Sequence, residues 1–113
     1  MTTPPLSKVR RAGDLLFVSG QLPRDANGSI VAGDIEVQTR QAIANLETAL
    51  AGANASLKDV VKVTAWITDA AHLAGFNAVY ARLFPEPYPT RSTIVSGLVA
   101  GDIEIEAIAW LPR

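Results

Sequence analysis

The sequence predicts an α+β fold, a mixed β-sheet with two helices on one face. Three observations predict it. Hydrophobic periods of strand and helix type follow one another in the order strand, helix, strand, helix, strand, strand. The last strand alternates: Ile103, Ile105, Ala107, Ala109 and Leu111 fall on one side, Glu104, Glu106, Ile108 and Trp110 on the other. The chain has 113 residues, enough for one domain (1–113) and too few for two.

The elements follow in order. Leu6 to Val9 reads as an extended edge entered through Pro4-Pro5, and Arg11-Ala12-Gly13-Asp14 as a turn. Leu15 to Ser19 is a short strand closed by Gly20. Asp25-Ala26-Asn27-Gly28 is a second turn, because Asn-Gly adopts positive φ cheaply. A helix is expected over Asp34 to Ala53, where Ile35, Thr39, Ala42, Ile43, Leu46, Ala49, Leu50 and Ala53 recur with helical spacing. Asp34 is its N-cap, and Gly52 and Asn54 are its stop signals.

Asp59 to Thr68 is a strand, with Val61, Val63, Ala65 and Ile67 on one face and Val60, Lys62, Thr64, Trp66 and Thr68 on the other. Leu73 to Phe84 is a second amphipathic helix, with Leu73, Phe76, Tyr80 and Leu83 toward the core. Pro85, Pro87 and Pro89 stiffen the connector to a strand from Arg91 to Gly97. A turn over Val99 to Asp102 then leads to the last strand, Ile103 to Leu111. The face away from the helices should be polar if it met water. Instead it carries Trp66, Trp110, Ile108 and Val60, which predicts packing between subunits.

Composition narrows the function. Hydrophobic residues make up 49% and charged residues 19%, an apolar balance for so small a domain, which again favours a buried subunit interface. Net charge is −1 and the pI about 5.7, so no basic field exists to track a nucleic-acid backbone. Lys8, Arg10 and Arg11 form only a small solvated cluster. The absence of cysteine excludes disulfides, thiolate catalysis and zinc–thiolate sites. The N-terminal MTTPPLSKVRR has no apolar signal-peptide core, and no apolar run approaches the ~20 residues of a membrane span. A cytoplasmic protein with no membrane partner is the expectation.

The chemistry concentrates between Tyr88 and Pro112. Arg91 opens a β-branched run, and Glu104 and Glu106 sit in an otherwise apolar strand, where charge is costly unless paired. An arginine can grip a carboxylate bidentately, and a glutamate can handle a proton. Alone, Arg91 reads as a surface or ion-paired arginine, and the two glutamates as a charged edge resisting aggregation. Were the last two strands a tight hairpin turning near Ala100, Arg91 would lie ~20 Å from Glu104. The pair would then share no substrate within one chain, unless the register differs or a neighbouring subunit completes the site.

Ser19 ends a buried strand without the partners of a nucleophilic triad, so it suits hydrogen bonding. Asn77 beside Phe76 reads equally as a surface amide or a site residue. His72 is the single histidine and makes no metal site. Gly97 and Gly101 lie in no nucleotide-binding spacing.

Together these segments resemble the RidA/YjgF family, also labelled L-PSP endoribonuclease. The matching pieces are Ser19-Gly20-Gln21-Leu22-Pro23, Gln38-Thr39-Arg40-Gln41-Ala42 leading to Asn45-Leu46, and Val60 to Thr68 with Asp69. Phe76-Asn77-Ala78-Val79-Tyr80, Pro89-Thr90-Arg91-Ser92 and Ile103 to Ala109 complete the set. The resemblance implies a chorismate-mutase-like fold, a homotrimer around a central β-barrel, and clefts between subunits. It also implies hydrolysis of reactive 2-imino or enamine acids to 2-keto acids and ammonia, with no cofactor and no metal.

By the same resemblance Arg91 holds the substrate carboxylate and Glu104 orients or deprotonates water. Ser19 and Gly20 of the SGQ segment, Asn77, and Thr93 bind substrate. The chain departs from the family pattern in three places. Pro4-Pro5-Leu6 stands where many members carry Gly-Pro-Tyr, Thr93 stands where many carry cysteine, and the loop Gly97 to Asp102 is shorter and lacks Leu-Pro. Two other readings compete with deamination: a non-catalytic trimer that binds a small carboxylate, and the ribonuclease of the older family label. The acidic pI and lone histidine argue against the latter.

Overall fold

A computed structural model describes residues 3–113; Met1 and Thr2 of the N-terminal stretch lie outside the described residues. Seven main elements form the fold: strands β1 (Val9–Ala12) and β2 (Leu15–Gln21), helix α1 (Ile35–Ala51), β3 (Val60–Ile67), helix α2 (Leu73–Leu83), β4 (Thr90–Val95) and β5 (Ile103–Trp110). Short 3₁₀ turns precede β3 and α2. The sheet order is β1-β2-β5-β3-β4. All pairs are antiparallel except β3 with β4, which run parallel as the α2 crossover requires.

This is the mixed sheet with two helices that the periodicity predicts, but the central β-barrel is not formed. Among the described residues the sheet is open, with β1 and β4 as unpaired edges. Four strand spacings separate those edges, ~19 Å, so five strands in this order do not meet again.

Helix α1 is where its spacing predicts. The Asp34 carboxylate accepts the Val37 N–H at 3.1 Å and caps it. Its buried face, Thr39, Ala42, Ile43, Leu46, Ala49 and Leu50, packs on β2 and β5. That core continues through Leu16, Val18, Val63, Ala65, Ile67, Phe76, Val79, Ile103, Ile105, Ala107 and Ala109. Burial of such apolar area is the main stabilising term, at ~25 cal/mol per Å².

Four expectations change. The first strand begins at Val9 and includes Arg11 and Ala12, which pair with Leu16 and Leu15, so the turn contracts to Gly13-Asp14. In β3 the assignments of Val60 and Val61 exchange: a register shift before Lys62 turns Val60 inward and leaves Val61 exposed. Leu73, at the outer start of α2, is exposed, while Val79 and Phe84 take core positions. Finally, β4 and β5 are not a hairpin: β3 lies between them.

The outer face of the sheet carries large apolar side chains beside Glu104 and Glu106, as the alternation predicts, though without Val60. Phe17 opposes Ile108, Leu15 opposes Trp110, and Trp66 stands between Glu104 and Ile94. Phe17, Ile94 and Trp110 are all exposed large side chains. No helix among the described residues is long and apolar enough to cross a membrane.

Candidate active site

The two residues expected to carry the chemistry lie on opposite faces of the sheet. Arg91 pairs with Val63, a core residue, and therefore points to the helix side; Glu104 pairs with Trp66 and points to the outer side. Val63 also aligns with Ala107, three residues beyond Glu104 on a strand two positions away. The two backbones are thus ~14 Å apart, from ~10 Å along the strands and ~10 Å across them. The separation follows from this register and not from a hairpin.

Arg91 is placed with care. It lies on an edge strand, its guanidinium 4.9 Å from the Phe76 ring centroid and 4.7 Å from that of Tyr80. Its Nη2 donates to Asn77 Oδ1 at 2.8 Å. Phe76, Asn77 and Tyr80 are successive positions on one face of α2, so the helix presents two ring faces and an amide oxygen together. The Tyr80 ring is itself stacked on Phe84 at 4.2 Å. The residue remains exposed, and no carboxylate pairs with it among the described residues. A cavity of about 260 Å³ opens beside it, lined by Tyr80, Ala81, Tyr88 and Pro89. Burial pushes the Tyr80 phenol up to about 12, against the opposing pull of Arg91.

Asn77 therefore touches Arg91 directly, a role its sequence position could not reveal. Thr93, two residues on and opposite Ala65, shares the helix-side face of β4, and its Oγ1 is buried without a hydrogen-bond partner among the described residues.

Glu104 is held by a different device. Strand β2 carries a bulge between Val18 and Gln21, which leaves Ser19 and Gly20 out of the regular ladder with β5. The Glu104 carboxylate lies directly over Gly20, where a Cβ would collide with Oε2. Burial first, and the neighbouring Glu106 second, raise the Glu104 carboxyl above the usual glutamate value. Ser19 donates its hydroxyl to the Ser7 carbonyl at 2.6 Å. An open groove of about 730 Å³ on this side is walled by Pro5, Leu6, Ser19, Glu106 and Ile108.

The structure thus groups Ser19, Gly20 and Glu104 on one side, and Asn77, Arg91 and Thr93 on the other. No cluster of three or more metal-ligating side chains occurs among the described residues.

A family model described as Endoribonuclease L-PSP matches residues 1–111. A RutC family protein of Pyrococcus horikoshii is 44% identical over 109 residues, covering 94% of this chain and 86% of its own. The 3-aminoacrylate deaminase RutC of Acinetobacter baylyi is 39% identical over 114 residues, covering 96% and 90%. The crystal structure of RidA from the Antarctic bacterium Psychrobacter sp. PAMC 21119 superposes with a TM-score of 0.91 at 31% identity, over 98% of this chain and 92% of that one. The chain belongs to the RidA/YjgF (L-PSP) family.

Proposed function

We propose that this protein hydrolyses reactive imine or enamine carboxylic acids to keto acids and ammonia, in a cleft completed by a second copy of the chain within a homotrimer. Arg91 holds the substrate carboxylate. Glu104 takes a proton from water as its oxygen attacks the imine carbon. Glu104 passes that proton to the imine nitrogen, giving a carbinolamine; the carbinol hydroxyl proton then moves by way of Glu104 to the same nitrogen, and the C–N bond breaks as the C=O forms and ammonia leaves. An enamine enters the same route once its carbon is protonated to the imine. Only water is consumed, so the reaction calls for no cofactor.

The observation that carries this reading is the Glu104 carboxylate lodged over Gly20 in a setting that raises its proton affinity. A surface glutamate kept only for solubility would gain nothing from such shelter. Arg91, already fixed on one side by Asn77 and two rings, supports it as a carboxylate clamp. Their opposite faces favour a site shared between copies, and the exposed Phe17, Ile94 and Trp110 support packing between copies. The relative named as a 3-aminoacrylate deaminase supports the enamine side of the substrate class.

Imines generated by an amino-acid oxidase, with the residual imine trapped by semicarbazide, test the proposal. Wild type accelerates imine loss; Arg91→Ala and Glu104→Gln do not. Equal imine loss with and without wild type across aliphatic, polar and aromatic imines and 3-aminoacrylate would overturn it. Ligand-induced thermal shifts that depend on Arg91 would then favour a binding module.

A further inference from the structure

Two residues before Glu104, the backbone is tied down by a side-chain network that spans three elements. Asp102 uses every polar group it has. Its N–H donates to Gln38 Oε1 at 2.8 Å, and its Oδ2 accepts from Gln38 Nε2 at 3.1 Å. Its Oδ1 accepts from Thr68 Oγ1 at 2.8 Å, and its carbonyl accepts from the Thr68 N–H at 3.2 Å. Gln38 is buried on α1, and its amide also donates to the Gly33 carbonyl at 3.2 Å. Thr68 immediately follows β3. Gly101, at φ +70°, closes the assembly: a Cβ there would press on Pro23 at 3.1 Å and on Gln38 Oε1 at 3.3 Å.

Packing alone does not call for this network. The first buried position of β5 is already secured by Ile103 in the core. A buried glutamine that satisfies both its amide groups on one aspartate is costly to assemble and sets geometry closely. What it sets is the direction in which β5 leaves the loop. The next outward side chain on that strand is Glu104, whose carboxylate must reach Gly20 on β2. Pro23, on which Gly101 rests, follows β2 by two residues, so the same network ties the loop to the chain that carries Gly20.

We propose that Gln38 and Thr68, acting through Asp102, are positioning residues that hold the Glu104 carboxylate over Gly20. The inference rests on the reading above for its catalytic meaning, but not for its structural content.

Two isosteric substitutions test it. Thr68→Val removes the hydroxyl and keeps the shape; Gln38→Met removes the amide and keeps most of the bulk. Each is compared with wild type in steady-state kinetics on the best imine of the panel. The expected result is a fall in kcat of about tenfold with KM within about twofold, because Arg91 on the opposite face is untouched. Thr68→Ser restores kcat. Equal kcat in wild type and both variants would overturn the proposal, as would a rise in KM alone.

A second readout needs no activity. The side-chain carboxyl carbon of Glu104 is titrated by NMR in wild type, Thr68→Val and Gln38→Met. Glu106 on the same strand acts on Glu104 in all three proteins. The expected result is that Glu104 titrates above the ordinary glutamate range in wild type and nearer to it in both variants. An unchanged Glu104 titration in folded variants would overturn the positioning role. If wild type hydrolyses no imine while the titration shifts as expected, the catalytic reading fails and the positioning role stands.

Discussion

Gly20 and Glu104 meet across the β2–β5 boundary at the one place where the ladder between those strands is interrupted. The bulge supplies the room and the missing side chain supplies the surface on which the carboxylate rests. Gly20→Ala tests this contact. The colliding atom is the end of a flexible side chain, so the fold should tolerate the change at ~1 kcal/mol, a shift of a few degrees in Tm. Glu104 must move, and imine hydrolysis should fall at least ~10-fold. Calorimetry and the trapping assay on the same sample separate the two effects.

Arg91 and Asn77 should behave as a coupled pair. Removing the amide leaves the guanidinium on its rings but free to swing. Asn77→Ala is expected to raise KM several-fold, equivalent to ~1 kcal/mol, with little change in kcat. In Arg91→Ala the Asn77 substitution should add almost nothing, and a double-mutant cycle measures that coupling. Arg91→Lys keeps the charge but not the planar fork, and should recover little of the lost affinity.

The pH dependence follows from Glu104. Its carboxyl is raised first by burial and then by Glu106, and the proposed reaction needs the ionised form. Activity should therefore rise with pH through an inflection above the ordinary glutamate value. Glu106→Gln removes the repulsion and should move that inflection down. A pH–rate profile of kcat/KM for the two proteins decides it.

Stability shows the linked signs. Glu104 binds its proton more tightly folded than unfolded, so its contribution is fully present below the unfolded value and lost as pH rises through the folded one. Asp102 is opposite. Hydrogen bonds from Thr68 and then Gln38 hold its carboxyl below the usual aspartate value, so its stabilisation is present above the unfolded value and lost as pH falls through the folded one. Denaturation curves across acid pH should show Glu104→Gln gaining on wild type above the glutamate range. Thr68→Val should lose most where Asp102 is ionised.

Tyr80 offers a test with the reverse direction. Its hydroxyl is buried and has no hydrogen-bond partner among the described residues. An unpaired buried hydroxyl costs ~1–3 kcal/mol, so Tyr80→Phe should leave Tm unchanged or raise it. The ring faces toward Arg91 and Phe84 remain. A lower Tm would mean that the hydroxyl finds a partner in the assembled protein.

Much of the fold is legible in local pattern. The α1 period, its Asp34 cap and the strict alternation of β5 each depend on neighbours close in sequence, and each is found as read. What escapes is non-local. The Val60–Val61 exchange depends on a register shift against β5. The place of β4 depends on a parallel crossover that puts it beside β3, which no hairpin-length loop announces. The barrel expectation fails for a related reason: closure depends on which strands pair at the edges.

The site divides in the same way. Arg91 and Glu104 are conspicuous because charge is rare in such strands. Their opposite orientations emerge only from the register. Gln38 is invisible as a functional residue, since a glutamine one turn into a helix reads as an ordinary polar position. The signal that could have raised it is its place beside Thr39 on the buried stripe.

In the proposed assembly each chain, with Arg91 on one face and Glu104 on the other, would be a bearer of two half-sites. In the proposed ring every chain would lend its arginine to one neighbour and its glutamate to the other. Two inactive proteins, Arg91→Ala and Glu104→Gln, would then complement when unfolded and refolded together. Random mixing in equal amounts pairs an intact arginine with an intact glutamate at about one boundary in four. Activity would become a property of the company a chain keeps, recovering from two dead parents.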